Sequence, residues 1–115
     1  IELWGDLDTH VDIGHAKEFM KAVVALMVGD CKPCDYVIST GLPWPIEALA
    51  QGALLHVGRE PSRIRQLADS PRPAKQTNWL IGDCSRLRSV IGWFHCRSAM
   101  SVVCELVDHL QGRAV

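Results

Sequence analysis

The sequence predicts an α/β fold that is mostly helical, with two or three short strands. Apolar residues recur at helical spacing over 16–28, 46–57, 84–91 and 98–110. Two brief apolar segments, Tyr36–Ser39 and Trp79–Ile81, are too short for helices and are predicted as strands. At 115 residues, the chain is expected to form a single partial domain over 1–115 with a modest core.

The first predicted helix, from about Ala16 to Val28, is apolar over well over half of its circumference. A helix of this kind is expected to contact other protein on more than one side. Asp12 and Gly14 stand where an N-cap would satisfy the first free N–H groups, and Gly29 can take the left-handed position after the last turn. The narrow polar face carries Lys17, Glu18 and Lys21.

Two further helices have clear start and stop signals. The second begins near Ile46, where two prolines fix the preceding backbone, and closes before Gly58. The third runs from about Cys84 to Ile91, with Asp83 as its cap and Gly92 at its end. The inward residues of this third helix are expected to be Leu87, Val90 and Ile91.

The last predicted helix starts after Ser98, which serves as its N-cap, and ends near Gly112. Trp93 is expected to be a packing residue under this helix, and Asp108 and His109 are expected to be solvated. The apolar stripe of the helix consists of Val102, Val103, Leu106, Val107 and Leu110.

Positive charge concentrates between the second and third helices. Residues 59–68 are expected to form a helical turn or two, and 70–73 an extended loop. Two interpretations are open: a solvated basic loop, or an anion clamp, because a guanidinium group can hold two phosphate oxygens at once. The cations are Arg59, Arg63, Arg65, Arg72 and Lys75.

Charge and hydropathy exclude several classes of protein. A formal net charge of −1 gives no electrostatic reason to expect nucleic acid or an anionic membrane as a partner. There is no apolar run of about 18 residues and no charged-then-apolar leader, so neither a membrane span nor a signal peptide is predicted. The chain begins with Ile1 rather than Met, and we expect it to be incomplete or processed.

The chain contains five cysteines, and this odd number fits free thiols in a reducing compartment better than a disulfide scaffold. Zinc or redox chemistry is one interpretation of the spacing Cys31-Lys32-Pro33-Cys34. The other is a helix-to-strand connection in which the proline stops the helix and the thiols are incidental. We predict no metal site, because the remaining candidates form no second ligand pair: Cys84, His95, Cys96, Cys104 and His109.

Motifs spread along the chain occur in the order of a known family. They are Asp6-Leu7-Asp8, Asp12, Gly14-His15-Ala16-Lys17, Asp35-Tyr36-Val37-Ile38, Arg72-Pro73-Ala74, Gly82-Asp83 and Gly92-Trp93. In this order they resemble the C-terminal, substrate-binding portion of GDP-mannose 4,6-dehydratase, an extended short-chain dehydrogenase/reductase. The family writes these landmarks as Gly-Asn-Leu-Asp, Arg-Asp-Trp-Gly-His-Ala-Lys, Asp-Phe-Val-Ile, Arg-Pro-Ala-Glu, Gly-Asp-Pro-Ser and Leu-Gly-Trp. The resemblance implies the outer part of that fold, with the Rossmann half absent.

The resemblance also implies site residues. Arg72 matches the arginine that holds the sugar-nucleotide diphosphate, and Lys75, in the place of a ribose-binding Glu, is a possible nucleotide contact. Val11 stands in place of the second clamp arginine, and Ile13 in place of the family's Trp. Each lost charge-assisted contact is worth about 1.5 to 3 kcal/mol, so a GDP-sugar is expected to bind weakly or not at all.

The reaction of this family requires parts that the chain lacks. A nicotinamide cofactor takes a hydride from C4 of the sugar, and a Tyr/Lys pair moves protons. The dinucleotide site needs a Gly-rich turn, and no such stretch occurs here. The only tyrosine is Tyr36, which has no Lys four residues on. No catalytic residue is therefore predicted and no cofactor is expected to bind this chain alone, while NADP is implied for the full-length family.

Two functional hypotheses follow. In the first, the chain is the substrate-binding segment of a cytoplasmic GDP-mannose 4,6-dehydratase-like enzyme, which makes GDP-4-keto-6-deoxymannose when a Rossmann half is supplied in the same or another chain. In the second, it is a catalytically inert interaction or oligomerisation module whose surplus apolar surface holds a partner or a second copy.

Overall fold

The computed structural model describes residues 2–3, 6–66 and 79–112, and within them helices and short strands alternate. The mostly helical α/β class predicted from the sequence is confirmed. The elements are β1 (Glu2–Leu3), β2 (His10–Asp12), α1 (Ala16–Val28), β3 (Pro43–Pro45), α2 (Ile46–His56), β4 (Arg65–Gln66), β5 (Trp79–Leu80), α3 (Ser85–Ile91) and α4 (Ala99–Leu110).

Strand β2 lies at the centre of a three-stranded sheet. It pairs antiparallel with β3 and parallel with β5, while β1 and β4 form a separate parallel pair. Pro43 and Pro45 cannot donate to a ladder, and β3 accordingly lies at an edge of its sheet. The strand predicted at Trp79–Ile81 is confirmed as β5, and the predicted helix start near Ile46 is confirmed as the start of α2.

The first core lies between α1 and α3. Ala22 and Leu87 are fully buried there, and Cys84 is 3% exposed. Burying a leucine side chain of this kind contributes about 1.5 to 3 kcal/mol. Partly buried residues complete the cluster: Leu26, Tyr36, Ile38, Ile91 and Trp93.

The second core lies between α2 and α4, and a polar contact joins the two helices near their C-terminal ends. His56 Nε2 lies 2.8 Å from Asp108 Oδ1. The prediction that Asp108 is solvated is therefore wrong, because the packing of α2 on α4 brings a histidine to it, whereas His109 is exposed. The buried apolar residues of this core are Leu49, Leu54, Ala99 and Val102.

The capping at both ends of α1 differs from the prediction. The N-cap is His15, whose Nδ1 accepts the Lys17 N–H over 3.1 Å, rather than Asp12 or Gly14. The Asp12 side chain is engaged elsewhere, as described below. Gly29 has φ −81° and ψ 161°, an extended and not a left-handed conformation, and its N–H donates to Ala25 O over 3.0 Å.

The segment 36–39, predicted as a strand, is not one. A strand needs a neighbour to complete its hydrogen bonds, and no described strand pairs with this segment. Its apolar residues Tyr36 and Ile38 instead pack against the first core, and Ser39 is buried. The sequence pattern detected burial correctly but assigned the wrong backbone pairing.

The stop signal of α3 at Gly92 and the start signal of α4 at Ser98 are confirmed, whereas the N-cap of α3 is Cys84 and not Asp83. Asp83 Oδ1 accepts the Ser85 N–H over 2.9 Å, and Gly92 ends α3 in the left-handed region at φ 62°. Ser98 Oγ accepts the Ser101 N–H over 3.2 Å at the start of α4.

Some predicted packing positions are wrong. Val90 is 42% exposed, because the short α3 is covered only along the side of Leu87. Leu106 and Leu110 are also exposed, since the apolar stripe of α4 extends beyond the surface that α2 covers. Trp93 is a packing residue, as predicted, and its contacts are with α1: its Nε1 donates to Glu18 O over 3.1 Å.

The basic segment is described only in part. The predicted helical turn is confirmed as one 3₁₀ turn at Pro61–Arg63, which is followed by β4. Residues 67–78, which include the predicted loop over 70–73 together with Arg72 and Lys75, lie outside the described residues.

Two glycine substitutions test this packing. A Cβ on Gly82 would lie 2.4 Å from the Cβ of Ser39, which cannot move without its backbone, so we expect Gly82→Ala to destabilise the chain by about 1 to 3 kcal/mol. Gly52→Ala is the matched control: its Cβ would meet only the flexible end of Met100, and alanine favours the helix by about 1 kcal/mol. Urea unfolding measures both, and equal losses would contradict the packing described here.

Candidate functional site

The carboxylate of Asp12 joins three separate parts of the chain. Its Oδ1 accepts the Thr40 N–H over 3.0 Å and also the Thr40 hydroxyl. Its Oδ2 accepts the N–H groups of Gly41, over 2.8 Å, and Gly82, over 3.3 Å. Strand β2, the turn at 40–41 and the chain just after β5 are therefore held by one side chain.

The hydrogen bonds also set the ionisation of this side chain. Burial raises the pKa of Asp12, but the hydrogen bonds from Thr40, Gly41 and Gly82 together bring it below its ordinary value. Because internal donors occupy both oxygens, Asp12 is a structural anchor rather than a group that binds a ligand.

Arg88 extends the network around Asp12. Its Nη2 donates to Thr40 O over 3.0 Å, and its guanidinium lies over the Phe94 ring, 4.9 Å from the centroid. Thr40 is 3% exposed, so this bond is shielded from water. Arg88 thus helps to hold the 40–41 turn.

The two faces of the three-stranded sheet have different chemistry. Val11 lies between Trp44 on β3 and Leu80 on β5, and because alternate strand residues point to opposite faces, these three form one apolar row. On the opposite face, His10 stacks on Trp79 with ring centroids 3.8 Å apart and planes 8° apart. The position where the resemblance places a clamp arginine is therefore apolar.

The structure does not describe the predicted ligand-binding residues themselves. Arg72 and Lys75 lie in 67–78, outside the described residues. What is described is how the chain enters and leaves this segment: β4 precedes it and pairs with β1, and β5 follows it and pairs with β2. Trp79, the first described residue after this segment, pairs with His10, and Leu80 pairs with Val11.

Sequence reasoning missed an ionic cluster at the start of α1. His15 Nε2 lies 3.2 Å from Glu105 Oε1, and Arg97 Nη1 donates to Glu105 Oε2 over 2.8 Å. The hydrogen bond with His15 and the charges of Arg97 and Lys17 lower the pKa of Glu105, against the opposing effect of burial. The cluster borders a cavity of about 230 Å³. No spacing rule connects His15 with an acid on α4, so only the fold reveals this contact.

Glu18 was also misassigned, because it was placed on the polar face of α1. It is 8% exposed, and its carboxylate accepts the N–H groups of Cys96, over 3.1 and 3.2 Å, and Arg97, over 3.4 Å. Glu18 therefore fixes the loop that leads into α4 and is a structural residue.

No group of three or more His, Cys, Asp or Glu side chains that could hold a metal ion occurs among the described residues. Within the same residues, no helix has the length and apolar character needed to cross a membrane.

Comparison with known proteins identifies the relatives of this chain. No family model matches it. GDP-mannose 4,6-dehydratase of Sinorhizobium fredii (strain HH103) is 28% identical over 120 residues, which cover 90% of this chain and 34% of that protein. The GDP-mannose 4,6-dehydratases of Cricetulus griseus and Homo sapiens are 27% and 26% identical over 77% of this chain and 28% of their own length. The resemblance to the GDP-mannose 4,6-dehydratases is confirmed.

Solved structures agree on the fold of this dehydratase-like chain. RMD from Pseudomonas aeruginosa, complexed with NADPH, superposes on 99% of the chain with a TM-score of 0.82 and 17% identity. dTDP-glucose 4,6-dehydratase from Bacillus anthracis, in complex with NAD, has a TM-score of 0.81 over 96% of the chain, at 12% identity. UDP-glucose 4-epimerase from Bifidobacterium longum, in complex with NAD⁺ and UDP, has a TM-score of 0.78 over 97% of the chain, at 15% identity.

The coverage shows what part of those proteins the chain represents. It spans about a third of the length of its curated relatives and of these three structures. The chain therefore has the fold of one segment of an extended short-chain dehydrogenase/reductase.

A substitution tests the anchoring role of Asp12. An asparagine at this position offers one acceptor oxygen instead of two, so Asp12→Asn loses about two charge-assisted hydrogen bonds and should lower the free energy of unfolding by about 2 to 4 kcal/mol. The control is Asp8→Asn, an exposed position in the turn before β2, where we expect a change within about 0.5 kcal/mol. Similar stabilities of the two variants in urea would contradict the anchor.

The lowered pKa of Asp12 predicts a specific pH dependence. Its contribution to stability is present above the unfolded value of 3.8 and is lost as the pH falls through that value towards the lower folded pKa. The difference in unfolding free energy between the natural chain and Asp12→Asn should therefore be largest near neutral pH and should shrink in acid. A difference that does not depend on pH would count against an ionised Asp12 in the folded chain.

Proposed function

We propose that this chain is the substrate-binding segment of a GDP-mannose 4,6-dehydratase-like enzyme and that it does not catalyse the reaction alone. The observation that carries this proposal is the similarity to the Sinorhizobium fredii dehydratase over 90% of the chain. The complete enzyme would convert GDP-mannose to GDP-4-keto-6-deoxymannose with NADP. This chain would contribute contacts to the sugar nucleotide within a single partial domain.

Arg72 is the proposed diphosphate contact, and Lys75 a possible nucleotide contact. The family resemblance alone supports this assignment, since both residues lie outside the described part of the chain. A guanidinium at position 72 would be the one cation left of the clamp that the resemblance implies. With Val11 in place of a second cation, binding of the GDP-sugar is proposed to be weak.

The cofactor would be held by a Rossmann half in the same or another polypeptide. The apolar face of α1 supports this, since side chains that a folded protein normally buries are exposed there. Their exposed fractions are 56% for Met20, 56% for Val24, 79% for Met27 and 81% for Val28. A cofactor-binding half would cover this face, and self-association through it is the competing arrangement. Five free thiols fit the cytoplasm as the compartment.

Two opposite substitutions test the clamp in a chimera in which this chain follows the cofactor-binding part of the Sinorhizobium fredii relative. Arg72→Ala should weaken GDP binding about 10- to 100-fold, because one charge-assisted contact is lost. Val11→Arg should strengthen it by a similar factor, because the second cation of the clamp is restored. Isothermal titration calorimetry with GDP measures both.

Matched controls separate the clamp from general charge effects. Arg59→Ala removes a positive charge from an exposed position outside residues 67–78, the stretch that carries Arg72 and Lys75. This variant should leave GDP affinity nearly unchanged. Val11→Gln introduces a long polar side chain without charge, so it should give little of the increase in GDP affinity that is expected for Val11→Arg. If Arg72→Ala keeps full GDP affinity, the assignment of Arg72 is wrong.

A further inference from the structure

The loop after α1 carries two cysteines that the proposed function does not use. The chain bends at Pro33 and Cys34. The Tyr36 hydroxyl donates to Lys32 O over 2.7 Å, which closes the loop across that bend. Cys31 and Cys34 therefore lie in a folded turn rather than in an extended connection.

Both thiols face the same space. Cys31, Cys34 and Tyr36 line one cavity of about 430 Å³ against α1. The pKa of Tyr36 is raised, first by a hydrogen bond with Cys34, then by burial and by the charges of Cys34 and Cys31. The two cysteines thus share one short turn and border the same cavity.

The two thiols differ in exposure. Cys34 is exposed, whereas Cys31 is half-buried. The Sγ of Cys31 lies against the C-terminus of α1, where a Cβ on Gly29 would be 3.1 Å from it. A reagent from solution thus meets Cys34 first, while Cys31 stays at the end of the helix within the same turn.

We propose that Cys31 and Cys34 form a reversible intramolecular disulfide, in which Cys34 reacts first with a low-molecular-weight disulfide such as glutathione disulfide and Cys31 resolves the product. The Cys34 thiolate attacks one glutathione sulfur, the glutathione S–S bond breaks, and one glutathione thiolate leaves. The Cys31 thiolate then attacks the Cys34 sulfur and displaces the second glutathione. The two cysteines together lose two electrons and two protons, and one glutathione disulfide becomes two glutathione molecules.

The test incubates the purified chain in glutathione redox buffers and follows it by non-reducing peptide mapping and mass spectrometry. The natural chain should lose two hydrogens in the peptide that contains both cysteines, and a thiol reductant should restore them. Cys31→Ser should accumulate glutathione on Cys34, because the resolving thiol is missing. In Cys34→Ser, Cys31 should stay reduced under the same conditions.

Cys96→Ser is the matched control, since it removes an exposed cysteine outside the turn and should leave the disulfide unchanged. Whether the disulfide forms is decided by the natural chain alone, so this result does not depend on the folding of any variant. The proposal is overturned if glutathione stays on Cys34 in the natural chain, if Cys34 does not react, or if Cys31 pairs with another cysteine.

Discussion

The carboxylate of Asp12 is the interaction on which the described structure depends. Its two oxygens accept hydrogen bonds from the adjacent residues Thr40 and Gly41 and from Gly82, about 40 residues further along the chain. These groups belong to the turn before β3 and to the chain just after β5, and β3 and β5 are the two neighbours of β2. A charged acceptor suits this role because it satisfies several buried N–H groups at once. Arg88 then fixes the same turn from its other side through Thr40 O.

One short strand thus carries both the anchor and the surface where the resemblance places the ligand. Asp12 faces the internal donors, while its neighbour Val11 points to the opposite face, between Trp44 and Leu80. The side chain of Val11 takes no part in the Asp12 hydrogen bonds. The fold matches that of RMD from Pseudomonas aeruginosa with a TM-score of 0.82, while the surface around Val11 is apolar.

Helix boundaries were predictable because they follow from local signals. Periodic apolar residues, the Ser98 cap and the Gly92 stop act within a few positions, and all appear as expected. The polar contacts of Glu18 and Asp108 were missed because each partner lies on a distant part of the chain. No local rule connects such residues before the helices pack.

The assignment of Arg72 and Lys75 to a ligand site rests only on family resemblance and stays a prediction, because both residues lie outside the described part of the chain. Nothing in the spacing of Arg72 distinguishes it from the other cations of the basic segment. The strand expected at 36–39 fails for a related reason: a strand needs a partner, and hydrophobic pattern alone does not say whether one is present. Burial of that segment was predictable, whereas its hydrogen bonding depends on the rest of the fold.

Native-state hydrogen exchange measures the central claim most directly. If the Asp12 carboxylate holds β2 to the chain segments beside it, the amide protons of Thr40, Gly41 and Gly82 should exchange with one shared opening free energy. A single event, the loss of the carboxylate contacts, would release all three. Independent exchange at these three amides, or rapid exchange at Gly41 while Gly82 stays protected, would contradict the account.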